Sequence, residues 1–378
     1  MSLPLTFTLY VARRFTAMVL ALLLALTGLV SLFDFIELLR RAATRAEASF
    51  GIVATIGGLR LPFMALQILP FAMLLGGIVA FWRLSRSSEL VVARAAGISA
   101  WGFLTGPAVV ALVIGIVATT GISPLSSAML ARAERLDGIY LRNASGITAL
   151  AGGRLWLRQA DRALDPQGVA ILAGRPAANS NRIERAALKL GVVGFGRRSG
   201  DDKPLARVEA PHAELQSHGG VGEWVLENAV TFGQDRRASD PMRIALPTDL
   251  TPARIEDSFA SPDTLSFWAL PDFIGVLESA GFSAVRHRLH YQSLLALPVL
   301  CLAMALLSAG FSMRQARRGG VAQMLGLGVA AGFALFVLDR VAGEFGETGT
   351  LPVALAAWAP ALAGLLLALT LLLHLEDG

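Results

Sequence analysis

Residues 61 to 82 read LPFMALQILPFAMLLGGIVAFW, 22 residues without a charge. About 20 apolar residues are enough to cross the hydrocarbon layer of a bilayer as a helix. Five more windows of this kind occur. They are Phe15–Phe33, Trp101–Ser123, Tyr291–Met313, Gly319–Leu338 and Thr348–Leu373. The expected layout is three spans, a large hydrophilic insert, then three spans. The segment Ala48–Leu59 is apolar but too short to cross, and reads as an interfacial lead-in to the second span, with Arg60 near the headgroups. Arg13 and Arg14 precede the first window as the basic end of a signal peptide would. The run is long, however, and no clear small-x-small cleavage site follows it, so a retained anchor is expected.

Composition agrees. The 378 residues are 54% apolar and 16% charged, with a mean hydropathy of +0.59, against about 25% charged in soluble domains. An ordinary soluble enzyme and a disordered chain are both excluded by that balance. Residues 131–293 hold 20 Lys+Arg and 19 Asp+Glu, and all the remaining residues only 13 and 9. The insert is therefore nearly neutral, which argues against a nucleic-acid-binding domain. The single cysteine, Cys301, allows no intrachain disulfide and no cysteine-based metal site.

Orientation follows from short loops. Arg13 and Arg14, then Arg83, Arg86 and Arg94, then Arg314, Arg317 and Arg318 lie on one side, separated by even numbers of crossings. The positive-inside rule makes that side cytoplasmic. Arg40, Arg41 and Arg45 count against the rule, and long domains translocate whatever their charge. The expectation is a multi-pass membrane protein with both termini cytoplasmic and the insert on the opposite side. Its divisions are residues 1–130 for spans 1–3, 131–290 for the insert, and 291–378 for spans 4–6.

Inside the insert, Arg154–Arg158, Leu188–Phe195, Ala206–Ala210, His212–Leu215 and Glu223–Phe232 alternate as short strands, with turns at Asp165–Gly168 and Ser199–Asp202. An antiparallel sandwich or jelly roll is expected. A helix should begin near Thr264 with the apolar stripe Phe267, Leu270, Phe273, Ile274 and Leu277, capped by Gly281. A second short helix, Ser283–His290, should lead into span 4.

The chain has no Walker loop, no Gly-x-Ser-x-Gly and no His-Glu-x-x-His. His287 and His290 lack a third ligand and read as interfacial polar residues. The spans hold no carboxylate relay, so any movement through them is powered from elsewhere. Asp34, Glu37, Asp339 and Arg340 read as solvated charges at span ends. Pro62 and Pro70 around Gln67 suggest a kinked second span, and Gly328-x-x-x-Gly332 a close helix contact. Between spans 2 and 3, Ser87 or Ser88 can start a short helix with Glu89 in its first turn, which Gly97 can end. With apolar Leu90 and Val91 beside Glu89 and Arg94, the helix, about residues 87–97, suits docking in a groove on a cytosolic partner. The alternative is an interfacial connector.

The stretch Ser88-Glu89-Leu90…Arg94-Ala95-Ala96-Gly97-Ile98-Ser99 resembles the coupling-helix motif of the LptF/LptG permeases. Leu265-Ser266-Phe267-Trp268 through Leu277–Phe282, Leu295–Pro298, Arg317–Gly320, and Gly349–Pro352 with Ala356–Pro360 agree with it. The last pattern and Ser31–Arg40 favour the LptG branch. The resemblance implies a six-span (3+3) membrane protein with an inserted periplasmic jelly-roll-like β domain. It implies a non-catalytic permease subunit paired with an LptF-like paralogue, on an LptB-like ATPase dimer that alone binds ATP and Mg. Lipopolysaccharide would leave the outer leaflet of the inner membrane for an LptC-like bridge protein. Ser88, Glu89, Leu90, Arg94 and Gly97 would form the coupling helix. Arg40 and Arg41 would meet lipid A phosphates, while Asp34 stands where the family often has lysine. The rival reading from another class is a membrane-anchored periplasmic sensor or assembly scaffold.

Overall fold

The structure, a computed structural model, describes residues 5–45, 48–87, 89–95, 99–142, 148–151, 154–160, 169–176, 187–198, 204–218, 221–233, 238–248, 261–279, 283–315 and 321–376. Six helices among them are long and apolar enough to cross a membrane. The first body contains residues 1–142, 262–271 and 285–378. It begins with α1 (Leu5–Ala42), α2 (Phe50–Arg86), the short α3 (Glu89–Ala95) and α4 (Ala100–Val117). A π-helical turn, Ala118–Ile122, joins α4 to α5 (Ser123–Asp137), and a second one, Gly138–Arg142, follows α5. After the insert come α7 (Val285–Gln315), α8 (Val321–Glu347) and α9 (Val353–Glu376).

Several helices outrun the windows that announce them. At 1.5 Å per residue, the 38 residues of α1 extend about 57 Å, against about 30 Å of hydrocarbon. The lead-in Ala48–Leu59 is not a separate interfacial element. It forms the first turns of the 37-residue α2, which runs on through Pro62 and Pro70. Likewise span 3 continues through the π turn into α5, and the short helix expected at Ser283–His290 is fused with α7. A helix in an apolar setting keeps its backbone bonds internal, so it ends where water or a breaker allows, not where apolarity stops.

Phe15, Val19, Met73, Leu74, Ile78, Phe81, Phe103, Met304 and Leu307 make the shared core of this body. Helix spacing is set by small residues. A Cβ on Gly76 of α2 would lie 2.7 Å from the Cα of Val19 in α1. Gly328 and Gly332, the pair expected to admit a neighbour, face α2, against Ile78 and against Leu74 and Phe71.

In the second body, residues 143–261 and 272–284, the described residues form seven strands paired in sequence order. They are β1 (Thr148–Ala151), β2 (Arg154–Ala160), β3 (Val169–Pro176), β4 (Ala187–Arg198), β5 (Pro204–His218), β6 (Val221–Phe232) and β7 (Met242–Thr248), all antiparallel to their neighbours. The two runs at Ala206–Ala210 and His212–Leu215 are one strand, β5, because extended backbone passes Pro211 without losing pairing on either side. The sheet curls until β2 faces β6 and β7. Gln159 of β2 accepts hydrogen bonds from the Trp224 indole at 3.1 Å and the Thr248 hydroxyl at 2.7 Å. Leu157, Leu172, Phe195, Leu215, Trp224 and Leu226 are buried there, with Phe195 edge-on to Trp224. Helix α6 (Leu270–Ser279) follows a 3-10 turn at Pro262–Thr264, so the helix expected near Thr264 starts six residues later. The turns Asp165–Gly168 and Ser199–Asp202, and the cap Gly281, lie outside the described residues.

Substituting Gly76→Val forces α1 away from α2. The full chain should lose about 1–3 kcal/mol of stability, read from denaturant titration in detergent, the usual cost of overpacking.

Candidate functional site

Two of the places where charges meet on the helical body bear on the candidate site. One is the C-terminal part of α1. The apolar run stops at Phe33, and Asp34, Glu37, Arg40 and Arg41 follow at one-turn spacing, so they share a side of the helix. The Arg40 guanidinium grips Glu37 with two bonds, Nε at 2.8 Å and a terminal nitrogen at 2.9 Å. Arg41 donates from Nε to the same carboxylate at 2.9 Å. Arg40 nevertheless stays 77% exposed, and such solvated pairs contribute little stability. Two cations share one anion, so the trio carries a net positive charge toward solvent. Arg40 and Arg41 are exposed, and each is steadied by Glu37, a contact the sequence reading did not include.

Asp34 behaves otherwise. It is not a solvated cap. Its carboxylate accepts from Arg60 of α2 at 3.1 Å, and the other end of the same guanidinium lies 3.6 Å from Asp137 of α5. The side chains of Arg60 and Asp34 are 15% and 23% exposed, and Asp137 is 1% exposed. One arginine thus ties α1, α2 and α5 together. Arg60, expected near the headgroups, spends its fork on two carboxylates. Asp34 stands with the acids that occupy Arg60, so in this structure the exposed positive charge here comes from Arg40 and Arg41. Sequence reasoning missed Asp137, because it placed residue 137 in the insert. The signal that could have found it is the helical phase that continues unbroken from Ser123 through Asp137.

The second place is α3. Ser88 and Gly97 lie outside the described residues. Leu90 and Arg94 belong to α3, whose seven residues begin with Glu89. The Glu89 carboxylate accepts from the Ser87 hydroxyl at 2.8 Å and from the Tyr10 hydroxyl of α1 at 3.5 Å. Val92 is exposed and Ala93 buried, so the helix has a covered and an open side. Cations stack on aromatic rings around it: Arg14 lies over Tyr10 at 5.4 Å and Arg86 over Trp82 at 5.5 Å. Ser99 caps the following helix, accepting from the Gly102 amide at 3.2 Å.

Elsewhere, His290 faces Asp263 at 3.3 Å. Asp339 and Arg340 line a cavity of about 150 Å³ with Ser293, Glu344 and Glu347. No group of three metal-ligating side chains occurs among the described residues.

Six spanning helices with an inserted antiparallel sheet define a multi-pass membrane protein. The chain belongs to the family described as Lipopolysaccharide export system permease LptF/LptG, whose model matches residues 9–374. It is similar to the Lipopolysaccharide export system permease protein LptG of Escherichia coli strain K12, 23% identical over 374 residues, or 97% of each chain. The protein of the same name from Haemophilus influenzae is 22% identical over 357 residues, covering 93% of this chain and 94% of that one.

Removing Arg60 takes a shared cation away from Asp34 and Asp137, both mostly withdrawn from solvent. Arg60→Ala should cost about 3–5 kcal/mol in detergent unfolding. Asp34→Asn, which leaves Arg60 its ion pair with Asp137, should cost less than half of that.

Proposed function

We propose that this chain is a permease subunit of an ATP-driven lipopolysaccharide exporter. It acts at the bacterial inner membrane, with both termini cytoplasmic and the β domain in the periplasm. The observation that carries the reading is α3. It is a short helix set between the second and third spans, with its acid held by Ser87 and Tyr10, in a chain of this permease family. A helix of that size with an open side suits a groove on an ATPase. The chain has no Walker loop, so the nucleotide and its Mg belong to a partner, an LptB-like ATPase dimer. Ser88, Glu89, Leu90, Arg94 and Gly97 form the docking segment. The Tyr10–Glu89 contact links that segment to α1, whose other end carries Arg40 and Arg41.

The substrate end follows from charge. Arg40 and Arg41 offer guanidinium forks that match phosphate oxygens. Glu37 pre-orients them, and a phosphate carrying more charge than a carboxylate competes well for Arg40, which is 77% exposed. Lipopolysaccharide is taken from the outer leaflet into a cavity shared with an LptF-like paralogue. ATP-driven closure in the partner expels it toward the β domain and an LptC-like bridge.

Two experiments test the reading. Glu89→Arg should abolish co-purification with the ATPase and lipid export together; intact association and export would sink the docking assignment. Arg40→Glu with Arg41→Glu should lower photo-crosslinking of lipopolysaccharide to this subunit at least about ten-fold, the scale of losing two charge-assisted contacts. Unchanged crosslinking would remove the phosphate role.

A further inference from the structure

Two prolines interrupt the helices on either side of the insert. Pro124 follows the π turn between α4 and α5, and Pro298 lies inside α7. Proline has no N–H, so the carbonyl one α-turn earlier loses its helical partner. Those carbonyls belong to Thr120 and Leu294. Each accepts a side-chain bond from another segment of the chain. The Leu294 carbonyl accepts from the Thr119 hydroxyl at 2.9 Å, across from α7 to the π turn. The Thr120 carbonyl accepts from the Trp268 indole N–H at 3.1 Å.

The parts are packed against one another. A Cβ on Gly115 would lie 2.5 Å from the Cα of Pro298, so the end of α4, just before the π turn, meets α7 backbone to backbone at its proline. Thr119 is 2% exposed, and its bond sits where water is scarce. Trp268 packs edge-on to Phe267 at 5.1 Å, and Phe267 stacks on Tyr291 of α7 at 5.3 Å. Trp268 lies on the segment Pro262–Pro271, the chain returning from the insert, and α5 is the chain leaving toward it. The two covalent routes into and out of the insert therefore converge on one pair of broken turns.

We propose that Ala118–Ile122 and Leu294–Pro298 form a single two-helix hinge, and that Thr119 and Trp268 are its positioning residues. π turns and proline-broken turns are where helices bend, because the carbonyls there are bonded by exchangeable side chains instead of by the rigid ladder. Bending at the pair moves the third and fourth spans together with the chain that enters and leaves the β domain. The inference rests on the permease reading for what the bending accomplishes, which is passage of lipid from the spans to that domain.

The test is hydrogen–deuterium exchange of the full chain in lipid nanodiscs, in the complex with which it purifies. Thr119→Val keeps the shape and removes the hydroxyl. It should raise exchange about ten-fold in residues 116–123 and 290–300, the scale of one buried unpaired carbonyl. Thr119→Ser should restore the wild-type rates. Trp268→Phe should accelerate residues 116–123 alone. In the same complexes, lipopolysaccharide transferred per ATP hydrolysed should fall about ten-fold for Thr119→Val and recover for Thr119→Ser. Unchanged exchange overturns the hinge, and so does acceleration spread over all six spans, which would mark a packing role. Local acceleration with unchanged transfer also overturns it as a transport element. Wild-type complex that transfers no lipopolysaccharide at all refutes the permease reading instead, and the exchange data still decide the hinge.

Discussion

A peptide carbonyl inside a bilayer has no water to bond to, and most of this molecule answers to that constraint. The spanning helices before the insert run 37 to 41 residues, longer than a membrane requires, because a C-terminal helix end leaves four carbonyls unpaired and an N-terminal end four amides. Where prolines break the ladder, the released groups must be bonded from elsewhere. Thr119 and Trp268 do this for Leu294 and Thr120, and in doing so bind separate stretches of chain into one structure. Close approach serves the same end. Gly76 against Val19 and Gly115 against Pro298 bring backbones together where a larger residue would clash and hold the helices apart.

Charge obeys a related rule with a different outcome in each setting. Asp34, Arg60 and Asp137 are mostly withdrawn from solvent, and both carboxylates pair with the one guanidinium, so their role is to hold three helices. Glu37, Arg40 and Arg41 are three to seven residues farther along α1, in solvent, and keep a surplus positive charge available. The distance between a structural acid and a candidate ligand-binding arginine is less than two helical turns. What separates them is whether a second helix covers the side chain.

Much of the architecture was legible from residue order. Six uncharged windows and a charge-rich middle mark the helices and the insert, and alternation in residues 154–232 marks strands. The Glu89 to Ser99 motif, with its resemblance, marks the short helix at α3. Boundaries were less legible. The window rule ends span 3 near Ser123, but the helix continues to Asp137, because polar residues do not break a helix that has neighbours to pack on. The same error put Asp137 in the insert and hid the triad. Pro211, a strand breaker in isolation, sits inside β5 because the pairing on both sides carries the chain past it.

The sequence by itself determined the periodic and compositional facts: how many spans, where a β insert lies, which residues are charged and which lack an N–H. Each depends only on chain-local chemistry, hydropathy over about 20 residues or the identity of one side chain. The tertiary structure alone decided which partners those residues take. Arg60 meets carboxylates 26 positions before it and far after it, and Thr119 reaches a carbonyl 175 positions away. Such pairings are set by how the helices cross, and crossing is decided by close packing across the whole body rather than by any local run of sequence.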